Sequence, residues 1–129
     1  MVLDSSALLS IYYDEDDADV LKEKISHARR LSLSTATLVE AVSAVTRRLG
    51  TESATKFETL LDELQIDIVP FDEAQSLLAR EAYARYGRGM GHPAKLNFGD
   101  CFSYALAMHL GEPLLFKGND FIHTDVLKA

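Results

Sequence analysis

The sequence lacks several features that would assign it to a special class of protein. Its single cysteine, Cys101, cannot form an internal disulfide or a multi-cysteine zinc cluster. No apolar run approaches the roughly 18 residues that a membrane-spanning helix needs. The first ten residues, MVLDSSALLS, have no basic segment of the kind that opens a secretory signal. We therefore expect a cytoplasmic protein with no membrane segment.

An excess of basic residues is also missing. The chain carries 13 Lys and Arg against 20 Asp and Glu, for a net charge of −7. This balance argues against a general nucleic-acid coat protein, which needs positive charge for the phosphates. It does not exclude an enzyme that acts on nucleic acid and concentrates its acids at a metal site. An acidic surface also suits a basic protein partner.

The residues that are present predict one α/β domain over residues 1–129. Hydrophobic residues make up 47% of the chain, as in ordinary globular proteins. Segments with helical spacing alternate with short apolar segments, and this order favours a three-layer α/β/α domain with a short parallel sheet of four or five strands. The strands are predicted at 1–3, 31–35, 66–70, 114–116 and 125–127. Ligands of such sheets bind beyond the carboxyl ends of the strands.

Four acidic residues lie at such strand ends or at the starts of helices. Asp4 directly follows the first strand, and Glu40 is predicted in the first turn of the helix after the second strand. Asp100 opens the next-to-last helix, and Asp120 follows the strand at 114–116. All four are therefore predicted to reach one edge of one sheet.

Each acid taken singly also has a structural explanation. Glu40 comes three residues after Thr37, and Asp100 comes three residues after Asn97, which is the spacing of a helix capping box. Asp4 is suited to cap the helix that follows it, and the fourth acid is suited to order a turn. Capping does not, however, require that all four converge.

Convergence of the four acids indicates a bound cation. Two carboxylates about 4 Å apart repel by roughly 4 kcal/mol at an effective dielectric constant of 20, and a divalent cation reverses the sign of that energy. Oxygen ligands suit Mg²⁺, or Mn²⁺ in its place, better than zinc. Such a site can activate a water molecule for attack on a phosphodiester.

Four segments together resemble the PIN domains of VapC-type toxins: MVLDSSALL, STATLVEA with Glu40, GDCFSYALA and LLFKGNDFIHTDV. The resemblance covers nearly the whole chain. It implies a Mg²⁺-dependent endoribonuclease that is the toxin of a type II toxin–antitoxin pair. It also implies a homodimer, hetero-oligomers with a VapB-type antitoxin whose tail occupies the acidic cleft, and RNA products with 5′-phosphate and 3′-hydroxyl ends.

The resemblance assigns metal-ligand and catalytic roles to Asp4, Glu40 and Asp100. Asp120 is the fourth candidate for both roles, as a direct ligand, a water-mediated ligand or only a turn residue. Related chains often carry a second acid at the position of Asn119, which we predict to contact substrate.

Further substrate contacts are predicted around the acids. Arg85 and Arg88 alternate with tyrosines in a segment that leads to Asp100, a composition suited to RNA. The alternative for this segment is a solvated helix face. Ser5 and Thr35 are expected to bind phosphate or water, although each is equally suited to cap a helix.

Two other functions remain open at this point. The domain is either the enzyme or a catalytically inert PIN-like module that only binds a partner. A receiver-like Mg²⁺-binding signalling domain also has an acidic pocket on a parallel sheet, but the strand at 66–70 ends in Pro70 and Phe71 before Asp72, which fits it poorly. Cys101 is predicted to be a buried small residue, and Lys117 is a weaker candidate for phosphate binding.

Overall fold

A computed structural model describes residues 1–129 and contains four strands and six helices, with two helices after each of the first three strands. The strands are β1 Val2–Leu3, β2 Ser32–Ser34, β3 Asp67–Val69 and β4 Leu114–Leu115. The helices are α1 Ser5–Tyr12, α2 Ala18–Ser26, α3 Thr35–Leu49, α4 Thr51–Glu63, α5 Glu73–Tyr86 and α6 Asp100–Leu110. None of the helices is both long and apolar enough to cross a bilayer.

The four strands form one parallel sheet in the order β3-β2-β1-β4. Val2 of β1 is the Cα partner of Ser32 on one side and of Leu114 on the other. The predicted parallel α/β architecture is therefore confirmed. The predicted strand at 125–127 is not formed; instead, a single bridge joins Lys128 to Leu114. Only a short stretch near Lys128 pairs with β4, so no fifth strand develops.

The sheet has a hydrophobic core on each face, which makes the domain three-layered. Alternate residues of a strand point to opposite faces, and accordingly Val2 packs with α5 and α6 while Leu3 packs with α1 to α4. Phe57 of α4 is fully buried in the second core. Short strands suffice here because the helices supply most of the apolar surface.

Helices begin almost at once after the first two strands, and this places polar side chains at one edge of the sheet. Asp4 alone separates β1 from α1, and α3 starts at the residue after β2. After β3, the Asp72 carboxylate accepts the Gln75 backbone N–H at 2.9 Å and caps α5. The Gln75 side chain does not bond back to Asp72 but donates to the Pro70 carbonyl at 2.9 Å.

Candidate active site

Asp4 is a buried carboxylate held by the first turn of α1. Its Oδ2 atom accepts the backbone N–H of Ser6 at 3.0 Å and the Ser6 hydroxyl at 2.5 Å. The same hydroxyl accepts the backbone N–H of Lys117 at 3.0 Å, so it links Asp4 to the loop after β4. The capping role predicted for Asp4 is confirmed. Its other oxygen, Oδ1, accepts no hydrogen bond from the protein.

Glu40 reaches the site from the second turn of α3. The prediction that it lies in the first turn, paired with Thr37 in a capping box, is wrong. Because β2 runs into α3 without a loop, Ser34 is the capping residue and accepts the Ala36 backbone N–H at 3.3 Å. The Thr37 hydroxyl is instead buried, 3.2 Å from the hydroxyl of Ser103. Glu40 is therefore not needed to cap the helix.

The Glu40 carboxylate is held by two features that face it. The buried Ser5 hydroxyl donates to its Oε1 atom at 2.5 Å. On the other side, a Cβ atom added to Gly99 would lie 1.7 Å from its Oε2 atom. Only glycine at position 99 allows Glu40 to lie this close to the start of α6. Sequence reasoning missed Gly99, although its place directly before Asp100 was a signal.

Asp100 exchanges hydrogen bonds with Asn97 at the start of α6. The Asn97 backbone N–H donates to Asp100 Oδ2 at 2.7 Å, and the Asp100 backbone N–H donates to Asn97 Oδ1 at 2.9 Å. Both hydrogen bonds of the predicted capping box are thus present, although α6 begins at Asp100 and Gly99 occupies the N-cap position. The exchange occupies only one carboxylate oxygen, because Oδ1 has no protein donor. Asp100 can therefore cap the helix and still present an oxygen to a ligand.

The acids act on one another electrostatically. Burial raises the pKa of Asp100 to about 7, against the opposing effect of the Asn97 hydrogen bond. The negative charges of Asp4, Asp120 and Glu40 raise this pKa further. Burial, together with the charge of Asp4, also raises the pKa of Glu40, while its hydrogen bond from Ser5 acts in the opposite direction. Carboxylates from four separate segments therefore share one region of negative potential.

Asp120 and Asn119 lie at the exposed rim of this region. Neither side chain makes a hydrogen bond within the protein, and the backbone carbonyl of Asn119 accepts the Ile122 N–H at 3.1 Å. Gly118, with φ of 88°, turns the loop just before them. Three carboxylates are thus held by the fold, and the fourth stands free on a loop.

Lys117, whose backbone contacts the Ser6 hydroxyl, pairs with other acids. The Lys117 ammonium pairs with Glu15 at 2.6 Å and with Asp17 at 3.0 Å. Lys117, which was a candidate for phosphate binding, is therefore already paired with two carboxylates. It also ties the loop that carries Asp120 to the α1–α2 connection. No cation is among the groups that shift the pKa of Glu40 or Asp100.

The donor set fits a hydrated hard cation. No three His, Cys, Asp or Glu side chains are close enough to form a ready metal cage. Mg²⁺ retains several water ligands and is commonly bound by one or two carboxylates, so a closed cage is not required. Zinc is disfavoured because the acids have no nitrogen or sulfur ligand beside them. Cys101 is buried as predicted, and burial followed by the Asp100 charge raises the pKa of its thiol to about 11.

The predicted substrate residues fall into two groups. Ser5 and Thr35 have structural partners, Glu40 for the first and the Phe71 backbone N–H, at 3.0 Å, for the second. Arg85 forms an exposed ion pair of 3.0 Å with Asp125. Arg88 and Asn119 are exposed and their side chains are unpaired. The last two are therefore free to meet a ligand.

Comparison with known proteins places this site in a family context. A sequence model of the PIN domain family matches residues 1–127. The chain is 44% identical over 129 residues to Ribonuclease VapC28 of Mycobacterium tuberculosis, covering 100% of this chain and 97% of the relative. A solved structure of Mycobacterium tuberculosis VapC20, described as a sarcin-ricin loop cleaving toxin, has a TM-score of 0.79 at 15% identity and covers 99% of this chain and 97% of that chain. A toxin–antitoxin complex from Klebsiella pneumoniae has a TM-score of 0.75 at 14% identity and covers 99% of this chain and 95% of that chain. At these low identities the two structures support the fold alone.

Proposed function

Because the chain belongs to the PIN domain family, we propose that it is a metal-dependent endoribonuclease and the toxin of a type II toxin–antitoxin pair in the cytoplasm. The full-length identity of 44% with a protein named Ribonuclease VapC28 supports the ribonuclease activity. The family match decides against a receiver-like domain. The alternative is an inert module that only binds a partner. The two hypotheses are distinguished by whether the purified protein cleaves RNA.

The observation that carries the proposal is that the charges of Asp4 and Glu40 act on the buried Asp100 carboxylate, while no cation is among the groups that shift the pKa of Glu40 or Asp100. In the proposed site, Asp4 and Asp100 present their free Oδ1 atoms as metal ligands, and Glu40 completes the set from α3. Asp120 approaches from the rim, directly or through water. When bound, Mg²⁺ or Mn²⁺ supplies positive charge that offsets the carboxylates and the phosphodiester and lowers the pKa of a coordinated water.

The chain's own residues set the geometry of this reaction. Ser6 donates to Asp4, Ser5 to Glu40 and the Asn97 backbone N–H to Asp100. Each carboxylate therefore has one oxygen in a hydrogen bond and one oxygen that accepts none from the protein. Hydrolysis adds water across a P–O bond of the RNA backbone. The hydroxide becomes part of the 5′-phosphate and the remaining proton goes to the 3′ oxygen that leaves. No side chain becomes covalently attached to RNA in this scheme.

We assign the acidic cleft a second ligand, the cognate antitoxin. A structural neighbour is a toxin–antitoxin complex, and the chain's net charge of −7 suits a basic partner segment. A cationic side chain that enters the cleft would neutralise the same carboxylates and so exclude the metal. The expected assembly is a homodimer of this chain that forms hetero-oligomers with the VapB-type antitoxin.

The proposal is tested by RNA cleavage with purified full-length protein, with and without Mg²⁺. Asp4→Asn and Asp100→Asn should each lower cleavage by at least about a hundredfold, because each removes a charged ligand. Asp62→Asn is the matched control, since Asp62 is exposed and unpaired on α4. Full activity in both site variants would refute the ligand assignment, and an inactive parent protein would favour the inert module.

A further inference from the structure

An apolar groove lies beside the acidic site, between α5, α6 and the segment that connects them. It has a volume of about 640 Å³, and eight of its ten lining residues are hydrophobic. Its principal side chains are Phe71, Ala79, Tyr83, Met90, Phe98 and Phe102. The volume falls within the range of about 300–1,000 Å³ that is usual for ligand sites. Neither the fold nor the four carboxylates explains this groove.

The groove and the acidic site meet at the start of α6. Phe98 and Cys101, which line the groove, stand on either side of Gly99 and Asp100. Gly99 in turn lies against the Glu40 carboxylate. A polymer whose phosphate lies at the carboxylates therefore has its neighbouring unit within reach of the groove.

The aromatic rings of the groove hold one another in a fixed arrangement. Phe102 makes edge-to-face contacts with Phe98, at 4.9 Å between ring centroids, and with Phe71, at 5.0 Å. Phe98 is nevertheless 75% exposed, so most of its ring faces solvent. An exposed ring in a restrained orientation is the surface on which unpaired bases stack in RNA-binding proteins.

Most charged residues of the groove and of the segment that connects α5 to α6 are cationic. Arg80 lines the groove, and Arg88 and Lys95 lie on the connecting segment, which also contributes Met90 and Phe98 to the lining. None of the three forms a salt bridge. Between residues 80 and 95 the only acid is Glu81, although the whole chain has a net charge of −7. This local charge complements a polyanion. A second copy across a twofold axis would bring two sets of these cations into one interface.

We propose that the groove binds the nucleobase adjacent to the cleaved phosphodiester, stacked on Phe98, with Arg80 and Arg88 contacting flanking phosphates. This inference rests on the proposed ribonuclease function. A base can reach Phe98 only when it is unpaired and turned out of a helix. The groove therefore selects RNA that is single-stranded next to the cleavage point, such as a loop.

The test measures RNA binding separately from cleavage. A short fluorescent single-stranded RNA is titrated into the full chain carrying Asp4→Asn, and its anisotropy gives Kd. Adding Phe98→Ala should weaken binding roughly 5- to 150-fold, the effect of losing one base-stacking ring. Phe98→Tyr should bind like the parent, and Phe98→Leu should bind as weakly as Phe98→Ala. Leu49→Ala, which removes an exposed apolar side chain at the end of α3, is the control.

Two further measurements distinguish stacking from phosphate contact. An oligonucleotide that lacks the base next to the cleavage point should bind the Asp4→Asn protein equally well with and without Phe98→Ala. Arg88→Ala should reduce the slope of log Kd against log salt by about 0.7, the value for one phosphate contact on a single strand. Phe98→Ala should leave this slope unchanged.

The outcomes separate this inference from the proposed function. If the parent cleaves RNA but Phe98→Ala binds it normally, the groove assignment is refuted and the ribonuclease stands. If Phe98→Leu retains binding, the base does not stack on Phe98 and the assignment is refuted. If Phe98→Ala converts a dimer to a monomer in light scattering, the groove is an interface between copies and the assignment is again refuted. RNA binding that depends on Phe98 in a protein that cleaves nothing would refute the enzyme and retain the groove.

Discussion

Replacing Asp100 by Asn should stabilise the metal-free protein at alkaline pH. The native pKa of about 7 lies well above the ordinary value of 3.8 for Asp, chiefly because Asp100 is buried. At about 1.4 kcal/mol for each pH unit between these values, ionised Asp100 destabilises the native state by about 4 kcal/mol above pH 7. An Asn side chain removes this effect and keeps an oxygen that can accept the Asn97 N–H.

The sign of the pH dependence follows from the same two values. An acid whose pKa is higher in the native state than in the unfolded state favours folding at low pH and loses that contribution as pH rises. For Asp100 the loss runs from about pH 4 to about pH 7. The advantage of Asp100→Asn should therefore be about 4 kcal/mol at pH 8 and less than about 1 kcal/mol at pH 4.

The assay is denaturant unfolding followed by circular dichroism, in chelator, at both pH values. Asp62→Asn should change the free energy of unfolding by less than about 0.5 kcal/mol at either pH, because Asp62 is exposed. Saturating Mg²⁺ should stabilise the parent at pH 8 and have little effect on Asp100→Asn. A metal-free variant that is less stable than the parent at pH 8 would refute the reasoning, since capping would then outweigh charge repulsion.

Three further predictions concern the groups around the carboxylates. Gly99→Ala should displace Glu40, because the added Cβ would overlap its Oε2 atom. RNA cleavage should then fall at least about tenfold while the circular dichroism spectrum is unchanged. Full activity would contradict this prediction. Ser6→Ala removes the hydroxyl that links Asp4 to Lys117. Mg²⁺ binding measured by calorimetry should weaken about 10- to 100-fold and should recover partly in Ser6→Thr. Unchanged binding would show that Asp4 does not need this hydrogen bond. Chelation should abolish cleavage and either Mg²⁺ or Mn²⁺ should restore it in a gel assay, whereas activity that survives chelation would exclude a metal requirement.

Features that depend on local sequence could be predicted, and those that depend on packing could not. The parallel α/β order, the capping role of Asp4 and the exchange between Asn97 and Asp100 all follow from spacing along the chain. The start of α3 was misplaced because Ser34, Thr35 and Thr37 are all able to cap a helix, and only the direct passage from β2 into α3 selects Ser34.

Contacts between distant segments were beyond sequence reasoning for a physical reason. A polar side chain can satisfy its hydrogen bonds locally or across the fold, and spacing does not reveal which. Ser5 and Lys117 looked available to a phosphate, yet the structure joins Ser5 to Glu40 and Lys117 to Glu15 and Asp17. The groove at Phe98 arises in the same way, from residues on α5 and α6 that meet only after folding.

The pairing of β1 with β4 has a consequence for the timing of synthesis. Val2 cannot find its partner Leu114, nor Ser6 the backbone of Lys117, until the polypeptide beyond them has left the ribosome. A partly translated chain thus holds Asp4 and Glu40 without the segments that complete the cleft. The proposed active site would in this way become complete only when synthesis of the chain is nearly finished.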